Sequence, residues 1–321
     1  MSRTIVIGDV HGCLVEAKEL VELAKYQPGK DRLVFTGDLI DRGPYPVETV
    51  RWVRDLGAEV VQSNHEQKLV EFFEKEARAL AGGPKNGMER PFPKRMAEWS
   101  AFTADELAWM KSWPLWIDIG GVSGGWLVVH AGFEPKPVSF TARLTTDPTE
   151  QLADRVTRVR WVHETTGEFV GMKHVPVLDD LSLVVKPHGN SSSERAMSPE
   201  AVAKREQRQR ERTAKGLPPV AEQKRRPKKY VTTFEQPDNT VAWQKAWRGP
   251  QSVIYGHDAQ RSGEPRVDHH GQYMCLGIDT GCCFGNSLTA AIFEDGRFWE
   301  TVSVRAKEKY YKWPEDESSE K

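Results

Sequence analysis

Short apolar runs that stop abruptly in polar residues recur along the first 80 residues, and each is followed by apolar positions at helical spacing. The predicted strands lie at 3–9, 31–38 and 58–64, and the predicted helices lie at 13–26, 47–56 and 66–80. This alternation favours parallel strands joined by right-handed crossovers. In such sheets, ligands bind beyond the carboxyl ends of the strands.

The second half of the chain is more antiparallel in character. Apolar runs at 124–132, 251–258 and 273–279 are typical of strands. Asp295 and Gly296 separate two further strand-like runs, which predicts a hairpin. The order of elements therefore predicts a mixed α/β (α+β) fold in which two mixed sheets face one another, with helices outside.

Two features lie between these halves. Thr103 is followed three residues later by Glu106, which predicts a capping box at the start of a helix. Residues 82–100 are rich in Gly and Pro and predict a loop.

Five polar blocks follow predicted strands. They are GDVHG at 8–12, GDLIDRG at 37–43, SNHE at 63–66, VVHAG at 128–132 and YGHD at 255–258. Each supplies Asp, His, Asn or Arg where a strand ends. Because ligands bind at that edge of an α/β sheet, we expect the blocks to converge on one cavity.

The residue types in these blocks are those of a two-metal phosphoesterase. Such a site needs a bridging carboxylate among further His, Asp and Asn ligands, and two ions activate one water. Asp38 is the candidate bridge. The candidate ligands are Asp9, His11, Asp38, Asn64, His130 and His257. The set contains no thiolate, so Mn, Fe, Zn or Co suits it.

Three other residues of the blocks fit roles in phosphoryl chemistry. His65, next to Asn64, can protonate a leaving oxygen as a general acid, and Asp41 can keep it cationic. Arg42 offers a planar donor fork that suits phosphate oxygens.

These blocks resemble the calcineurin-like metallophosphoesterase superfamily, in its phosphoprotein-phosphatase-like branch. The resemblance covers 3–80, 115–170 and 245–305. It implies a four-layer αββα sandwich of two mixed sheets and direct attack of a metal-bridging hydroxide without a phosphoenzyme. It also implies the same six ligands, His65 with Asp41 as the acid pair, and substrate phosphate contacts from Arg42 and Asn64.

Three further segments, 158–168, 246–259 and 279–290, resemble the symmetrical diadenosine tetraphosphatase-like group, which includes the phosphatase domain of bacterial polynucleotide kinase–phosphatase. The resemblance implies nucleotide-type substrates: dinucleoside polyphosphates, capped RNA ends or polyphosphate. Either Arg158 or Arg160 is expected to contact a second phosphate, and the sequence leaves that choice open.

Two departures bear on the alternatives. Ser63 stands where the family usually has Gly, and it is expected to fit if the backbone there is not at positive φ. Block two reads RGPYPVE, whereas eukaryotic Ser/Thr phosphatases resemble RGxxSxE. A Ser/Thr protein phosphatase therefore remains the first alternative.

Residues 187–229 differ in composition from the rest. Between Lys204 and Lys229 there are eleven Lys or Arg and three acidic residues. This segment is either a solvated linker or a basic arm for RNA or another acidic partner. The second alternative is thus a non-catalytic RNA- or partner-binding module.

The remaining features set the expected organisation. Residues 1–186 and 230–310 are predicted to form one domain, 187–229 a flexible insertion and 311–321 a disordered acidic tail. The net charge of −1 argues against a chain-wide nucleic-acid binder. Four cysteines without CxxC spacing predict reduced thiols, so we expect a cytoplasmic protein, or a nuclear one through the basic segment, without a membrane span.

Overall fold

The computed structural model of the protein describes residues 3–82, 91, 93–120, 125–134, 150–170, 174–176, 230–232 and 236–313. The chain divides into two compact units. One is formed by Met1–Gly171 with Gln236–Lys321, and the other by Met172–Glu235. All five polar blocks belong to the first unit.

The elements are numbered in chain order. The strands are β1 Arg3–Ile7, β2 Asp31–Phe35, β3 Glu59–Val60, β4 Trp116–Gly120, β5 Trp126–Val129, β6 Trp161–His163, β7 Phe169–Val170, β8 His174–Pro176, β9 Tyr230–Thr232, β10 Thr240–Ala242, β11 Ser252–Tyr255, β12 Arg266–His270, β13 Tyr273–Gly277, β14 Ser287–Glu294 and β15 Arg297–Arg305. The helices are α1 Leu14–Leu23, α2 Pro46–Asp55, α3 Asn64–Leu80, α4 Pro93–Trp99, α5 Ala104–Lys111, α6 Glu150–Arg158 and α7 Trp243–Ala246, with a 3-10 turn at Cys282–Phe284.

Two five-stranded mixed sheets form the centre of the first unit. In the first sheet the order is β15-β14-β1-β2-β3, with β1, β2 and β3 parallel to one another. In the second the order is β12-β13-β11-β5-β4, with β5, β11 and β13 parallel. Each sheet therefore contains three parallel strands, and their carboxyl ends carry the polar blocks. A small third sheet has the order β10-β6-β7.

Alternating side chains on β1 determine how the first sheet packs. Val6 belongs to an apolar cluster with Val128 and Ile254 of the second sheet, so the two sheets pack face to face. Ile5 and Ile7 belong to a different cluster, with residues of α1, α2 and α3. The helical members of that cluster include Ala17, Leu20, Val50, Val53, Leu69 and Phe72.

The second sheet is covered on its other face as well. Leu127 and Val253 cluster with Val156 of α6 and Trp243 of α7. Helices therefore lie outside both sheets, and the predicted mixed α/β sandwich with the layer order αββα is confirmed.

Several local predictions meet the structure directly. The capping box at α5 is confirmed, because Thr103 accepts a hydrogen bond from the Glu106 amide and Glu106 accepts one from the Thr103 amide. The hairpin is also confirmed, since β14 and β15 pair antiparallel across Asp295 and Gly296. The predicted loop at 82–100 is wrong in part, because it contains α4. Neighbouring Gly and Pro residues hid this short helix.

The predicted division into a domain of 1–186 and 230–310, an insertion at 187–229 and a disordered tail at 311–321 stays a prediction. In the second unit, β8 and β9 pair antiparallel, with His174 opposite Thr232. The basic segment 187–229 lies outside the described residues. Near the end of the described chain, Trp313 stacks on Phe284 with ring centroids 4.0 Å apart. None of the helices in the described part of the chain is long and apolar enough to span a bilayer.

Candidate metal centre and active site

The five polar blocks converge where the parallel strands end. Asp9 follows β1, Asp38 follows β2 and Asn64 follows β3, while His130 and His257 follow β5 and β11 of the other sheet. The packing of the two sheets face to face brings both sets of loops together. The predicted convergence on one site is therefore what the structure shows for Asp38, His11, Asn64, His130 and His257.

Asp38 lies at the centre of this site. Its Oδ2 is 3.3 Å from His11 Nε2, and its Oδ1 is 3.5 Å from His130 Nε2. The two carboxylate oxygens thus face two different groups of side chains. Among the described residues, one cluster with metal-ligand geometry joins Asp38 to His11 and His65, and another joins it to His130 and His257. A carboxylate shared in this way is suited to bridge two ions.

Asn64 belongs to the second of these clusters. Its Oδ1 lies 2.9 Å from His130 Nε2 and 3.2 Å from His257 Nδ1. The imidazole rings of the two histidines meet edge to face, with centroids 5.0 Å apart. One amide oxygen, two imidazoles and one carboxylate oxygen therefore surround a common point.

Hydrogen bonds on the far side of two rings fix the tautomers. His11 Nδ1 lies 2.9 Å from the Ile40 carbonyl, and His130 Nδ1 lies 2.8 Å from the Thr36 carbonyl. Each Nδ1 must carry the hydrogen, so each Nε2 presents a lone pair towards Asp38. Burial lowers the pKa of His11 and of His130, which keeps both rings neutral.

The acceptor atoms around Asp38 show whether metal ions fit this site. Lone pairs of Asp38, Asn64 and His130 converge although none of these atoms can donate a hydrogen to another. Burial alone would raise the pKa of Asp38, but the charges of nearby groups, His65 first and Arg42 among them, outweigh it and hold the pKa well below its usual value. A buried ionised carboxylate among neutral acceptors is stabilised by a cation. The residues therefore fit a pair of metal ions.

Asp9 lies slightly apart from these clusters. Its Oδ1 accepts a hydrogen bond from Thr36 Oγ1 at 2.8 Å, and its Oδ2 accepts one from the His257 amide at 2.8 Å. Burial, together with Asp279 and Asp38, raises its pKa well above the usual value. Asp9 also belongs to none of the ligand clusters found among the described residues. Its role as a ligand therefore stays a prediction.

Backbone conformation marks the site as clearly as the side chains do. Eight described non-glycine residues have positive φ, and five of them lie in the polar blocks. These five are His11, Asp38, Asp41, Arg42 and His257, with φ between 47° and 68°. Left-handed backbone is unfavourable for such residues and persists only where the surroundings enforce it. Sharp left-handed turns place these side chains at the strand ends.

His65 and Asp41 form the predicted acid pair. His65 Nδ1 and an Asp41 carboxylate oxygen form a short hydrogen bond, while His65 Nε2 lies 3.8 Å from Asp38 Oδ2. On the side away from His65, Asp41 accepts hydrogen bonds from the guanidinium of Arg95 and from Trp99 Nε1, the latter at 3.0 Å. Burial alone would raise the pKa of Asp41, but hydrogen bonds from His65 and Arg95 keep it below its usual range. His65 thus presents one nitrogen to the site and is oriented through the other.

Arg42 lies between the two histidines of the first cluster. Its Nη1 is 2.6 Å from His11 Nε2, and its Nη2 is 3.4 Å from His65 Nε2. The guanidinium lies 5.2 Å from the ring centroid of Phe284, which supports its flat face. The donor fork therefore points into the site.

The two candidate arginines after β5 differ in their surroundings. Arg160 donates to Asp258 Oδ1 at 3.1 Å and to the His257 carbonyl at 3.0 Å, so it braces the fifth block. Arg158 ends α6, and burial lowers its pKa although Glu71 and Asp38 act in the opposite direction. Both lie near the site.

Comparison with known proteins identifies the family. The model of the calcineurin-like phosphoesterase family matches residues 2–261. The chain belongs to this family. A symmetrical bis(5'-nucleosyl)-tetraphosphatase of Methylococcus capsulatus is 30% identical over 291 residues, which cover 88% of this chain and 89% of that protein. Another, from Photorhabdus laumondii, is 26% identical over 94% of this chain and 98% of its own length.

A solved structure supports the same fold. The crystal structure of a protein assigned as a diadenosine tetraphosphatase superposes with a TM-score of 0.56 at 23% identity, over 95% of this chain and 93% of that one. Because the chain belongs to the calcineurin-like phosphoesterase family, it is a hydrolase of phosphate esters or anhydrides, as predicted from the polar blocks.

Ser63 is accommodated as expected within this calcineurin-like phosphoesterase. Its φ of −132° is extended backbone that any residue can adopt. Its hydroxyl donates to Glu66 Oε2, while Glu66 Oε1 accepts hydrogen bonds from the Leu39 and Ile40 amides at 2.9 and 3.2 Å. Burial and Asp38 raise the pKa of Glu66 to about 8. Glu66 thus ties the third block to the second.

Three residues of this site were not predicted. Arg95 lies in a segment read as a loop, so nothing in the sequence connected it with Asp41. Glu66 is inside the SNHE block but had no assigned role. Asp279 had no assigned role; it follows β13, is buried and has a pKa raised by burial to about 6. The rule that polar residues after parallel strands belong to the site would have found Asp279.

Proposed function

We propose that this protein hydrolyses phosphoanhydride bonds of nucleotide polyphosphates at a dinuclear metal centre. The observation that carries the proposal is Asp38, whose two oxygens face separate groups of lone-pair donors at 3.3 and 3.5 Å. The residues that would hold the ions are Asp9, His11, Asp38, Asn64, His130 and His257. When bound, such a pair supplies an activated water and neutralises charge on the phosphoryl oxygens.

The protein's own groups orient the substrate. Arg42 carries the donor fork nearest the two clusters and can bind two oxygens of the attacked phosphate. The Asn64 side chain can contact the same phosphate. Arg42 and Asn64 follow strands of the first sheet, whereas Arg158 and Arg160 lie on the side of the second sheet. Arg160 also donates to the His257 carbonyl and so holds that loop in place. Either arginine can supply the second phosphate contact, and Arg160 also donates to Asp258.

His65 is suited to protonate the leaving oxygen. Its Nε2 faces the site, and Asp41 is bonded to its Nδ1 and orients the ring. A departing nucleoside diphosphate or phosphate is a weak base and needs little protonation. The proton on His65 Nε2 therefore matters most for substrates whose leaving group is a stronger base.

The substrate class rests on the relatives. Two symmetrical bis(5'-nucleosyl)-tetraphosphatases cover almost the whole of this chain. We therefore infer dinucleoside polyphosphates as the first substrates to test, with capped RNA ends and polyphosphate as related anhydrides. An RNA or acidic partner for residues 187–229 and a cytoplasmic or nuclear location remain predictions.

The proposal is tested with a panel of substrates in Mn²⁺ or Co²⁺. We expect diadenosine tetraphosphate to be cleaved to ADP alone, faster than a phosphopeptide, with Asp38→Asn inactive as the control. Turnover of phosphopeptides alone would instead favour a Ser/Thr protein phosphatase. Metal-independent RNA binding without turnover of any of these substrates would favour the binding-module alternative.

A further inference from the structure

A second group of potential ligands lies outside the catalytic clusters. Cys13, Glu16 and Cys282 each place one ligand atom within 4.8 Å of the other two. All three side chains are buried, with at most 1% of their surface exposed. Cys13 and Glu16 lie at the start of α1, and Cys282 begins the 3-10 turn after β13. Residues almost 270 positions apart are thus brought together in the core.

Glu16 supplies an independent indication of a missing cation. Its Oε1 accepts hydrogen bonds from the Tyr310 hydroxyl at 2.8 Å and from the Lys307 amide at 2.9 Å. Its Oε2 is buried and has no hydrogen-bond partner among the described residues. A buried carboxylate oxygen without a partner is costly, and such groups in native proteins commonly coordinate an ion.

We propose that Cys13, Glu16 and Cys282 form a separate metal site that takes one thiophilic divalent ion such as Zn²⁺ or Cd²⁺. Zinc binds Cys sulfur at about 2.3 Å and carboxylate oxygen at about 2.0–2.2 Å, so its ligand atoms lie roughly 3.5–4 Å apart. The spacing in this cluster is compatible with that geometry after small movements. Two sulfur ligands select against Mg²⁺, Ca²⁺ and Mn²⁺.

Loss of both thiol protons accompanies the binding of a divalent ion. Binding releases the two thiol protons to solvent and leaves two thiolates and one carboxylate around a single dication. The hydrogen bond between Cys13 and Cys282, together with burial, raises the pKa of Cys13 well above the usual range.

This site lies directly behind the catalytic one. The Cys13 thiol donates to the His11 carbonyl at 3.8 Å. Cys282 begins the turn that also carries Phe284, whose ring supports Arg42. No ligand is shared with the catalytic clusters. An ion held here would fix the backbone that carries His11 and the ring beneath Arg42.

Co²⁺ distinguishes the two sites by spectroscopy. The full-length protein is produced in minimal medium supplemented with Co²⁺, so that the buried site is filled as the chain folds, and is purified with a phosphine reductant. Only the proposed site contains thiolates, so a near-ultraviolet thiolate-to-Co²⁺ charge-transfer band reports on it alone. We expect that band, and one more bound ion per chain than in Cys13→Ser.

Cysteine variants provide the matched comparison. Cys13→Ser and Cys282→Ser are expected to lose the band, whereas Cys275→Ser is expected to keep it, because Cys275 is equally buried but belongs to no ligand cluster among the described residues. Glu16→Gln can still accept from Tyr310 and should weaken binding by more than about 10-fold, the loss typical of even a supporting residue.

A measurement on the unaltered protein tests the proposed site even if the variants fail to fold. Cadmium nuclear magnetic resonance of the Cd²⁺-loaded protein should show one resonance in the range of thiolate-ligated sites, apart from the resonances of nitrogen- and oxygen-ligated cadmium. Absence of that resonance, absence of the charge-transfer band, or a band that survives both Cys13→Ser and Cys282→Ser would overturn the proposal.

Discussion

The imidazole of His65 is bonded through Nδ1 to the carboxylate of Asp41, and this single contact decides which nitrogen faces Asp38. Nε2 lies 3.8 Å from Asp38 Oδ2. Asp41 is itself bonded to Arg95 of α4. The proposed acid is thus positioned by a chain of partners that reaches from Asp38 to α4.

Replacing His65 by Ala should lower kcat by about 10²–10⁴, the range for removal of a general acid. The loss should depend on the leaving group, because a good leaving group departs without a proton. Steady-state rates on an alkyl phosphate, whose leaving alkoxide is a strong base, and on an aryl phosphate with an acidic phenol would measure this. An equal loss on both substrates would contradict the role as acid.

Arg95→Ala should lower kcat roughly 10-fold with little change in KM, since hydrogen bonds to a charged group contribute about 1.5–3 kcal/mol and this one acts through Asp41. Lys94→Ala is the matched control, because the Lys94 side chain is 84% exposed and pairs only loosely with Glu98. Indistinguishable kinetics of the two variants would show that Arg95 does not position the acid.

Chelation should lower the melting temperature as well as abolish turnover, because the converging lone pairs around Asp38 are left without a cation. Adding back Mn²⁺ or Co²⁺ should restore both. Asp38→Asn should bind less metal and show little thermal response to a chelator. Thermal unfolding with elemental analysis provides the measurement, and an unchanged melting temperature of the wild type after complete metal removal would count against this account.

Ser63→Gly restores the residue usual in the family but should destabilise this protein by roughly 1–2 kcal/mol. Glycine gains nothing at a φ of −132°, costs backbone entropy and removes the hydrogen bond to Glu66. Ser63→Ala separates the two contributions, because it removes only the hydroxyl. Denaturant unfolding measures the difference, and an increase in stability for Ser63→Gly would refute the argument.

Glu106→Gln should destabilise the protein at neutral pH but not in acid. The hydrogen bond from Arg51 lowers the pKa of Glu106 below its unfolded value of about 4.3. A lowered folded pKa adds stability above the unfolded pKa, and that contribution is lost as pH falls through the folded pKa. The glutamine amide oxygen can still accept from the Thr103 amide, so the capping box is preserved while the charge and the hydrogen bond from Arg51 are lost.

The expected difference is about 1 kcal/mol or less above pH ~5, because the Arg51 side chain is half exposed, and it should vanish towards pH ~3. Unfolding curves of both proteins across this pH range measure it, and turnover should be unchanged. A difference that persists undiminished in acid would assign the effect to packing rather than charge.

Periodicity and the strand-end rule carried the prediction of most of the fold. They predicted β1, β2, β5 and β11 from the sequence. They also predicted that Asp38 and His130 lie close together, because residues that follow parallel strands meet at one edge of the sheets. Contacts between side chains distant in sequence follow no such rule. Arg95 reaches Asp41 from a helix that local composition concealed, and no spacing relates the two.

The backbone conformation of the site loops was the other feature that could not be predicted from the sequence. The positive φ of Asp41 and Arg42 is imposed by the packing of their loop, whereas both residue types ordinarily prefer right-handed or extended backbone. The sequence indicated the chemical roles of these two side chains, but it did not predict the left-handed turn that orients them.

The position of β1 has a consequence for synthesis of the chain. β1 is flanked by β2 on one side and by β14, completed only at residue 294, on the other. A ribosome must therefore synthesise the chain as far as residue 294 before the strand preceding Asp9 acquires its second neighbour. Because contacts of such long sequence separation form slowly, the edge of the sheet that carries Asp9 is completed only after residue 294 has emerged.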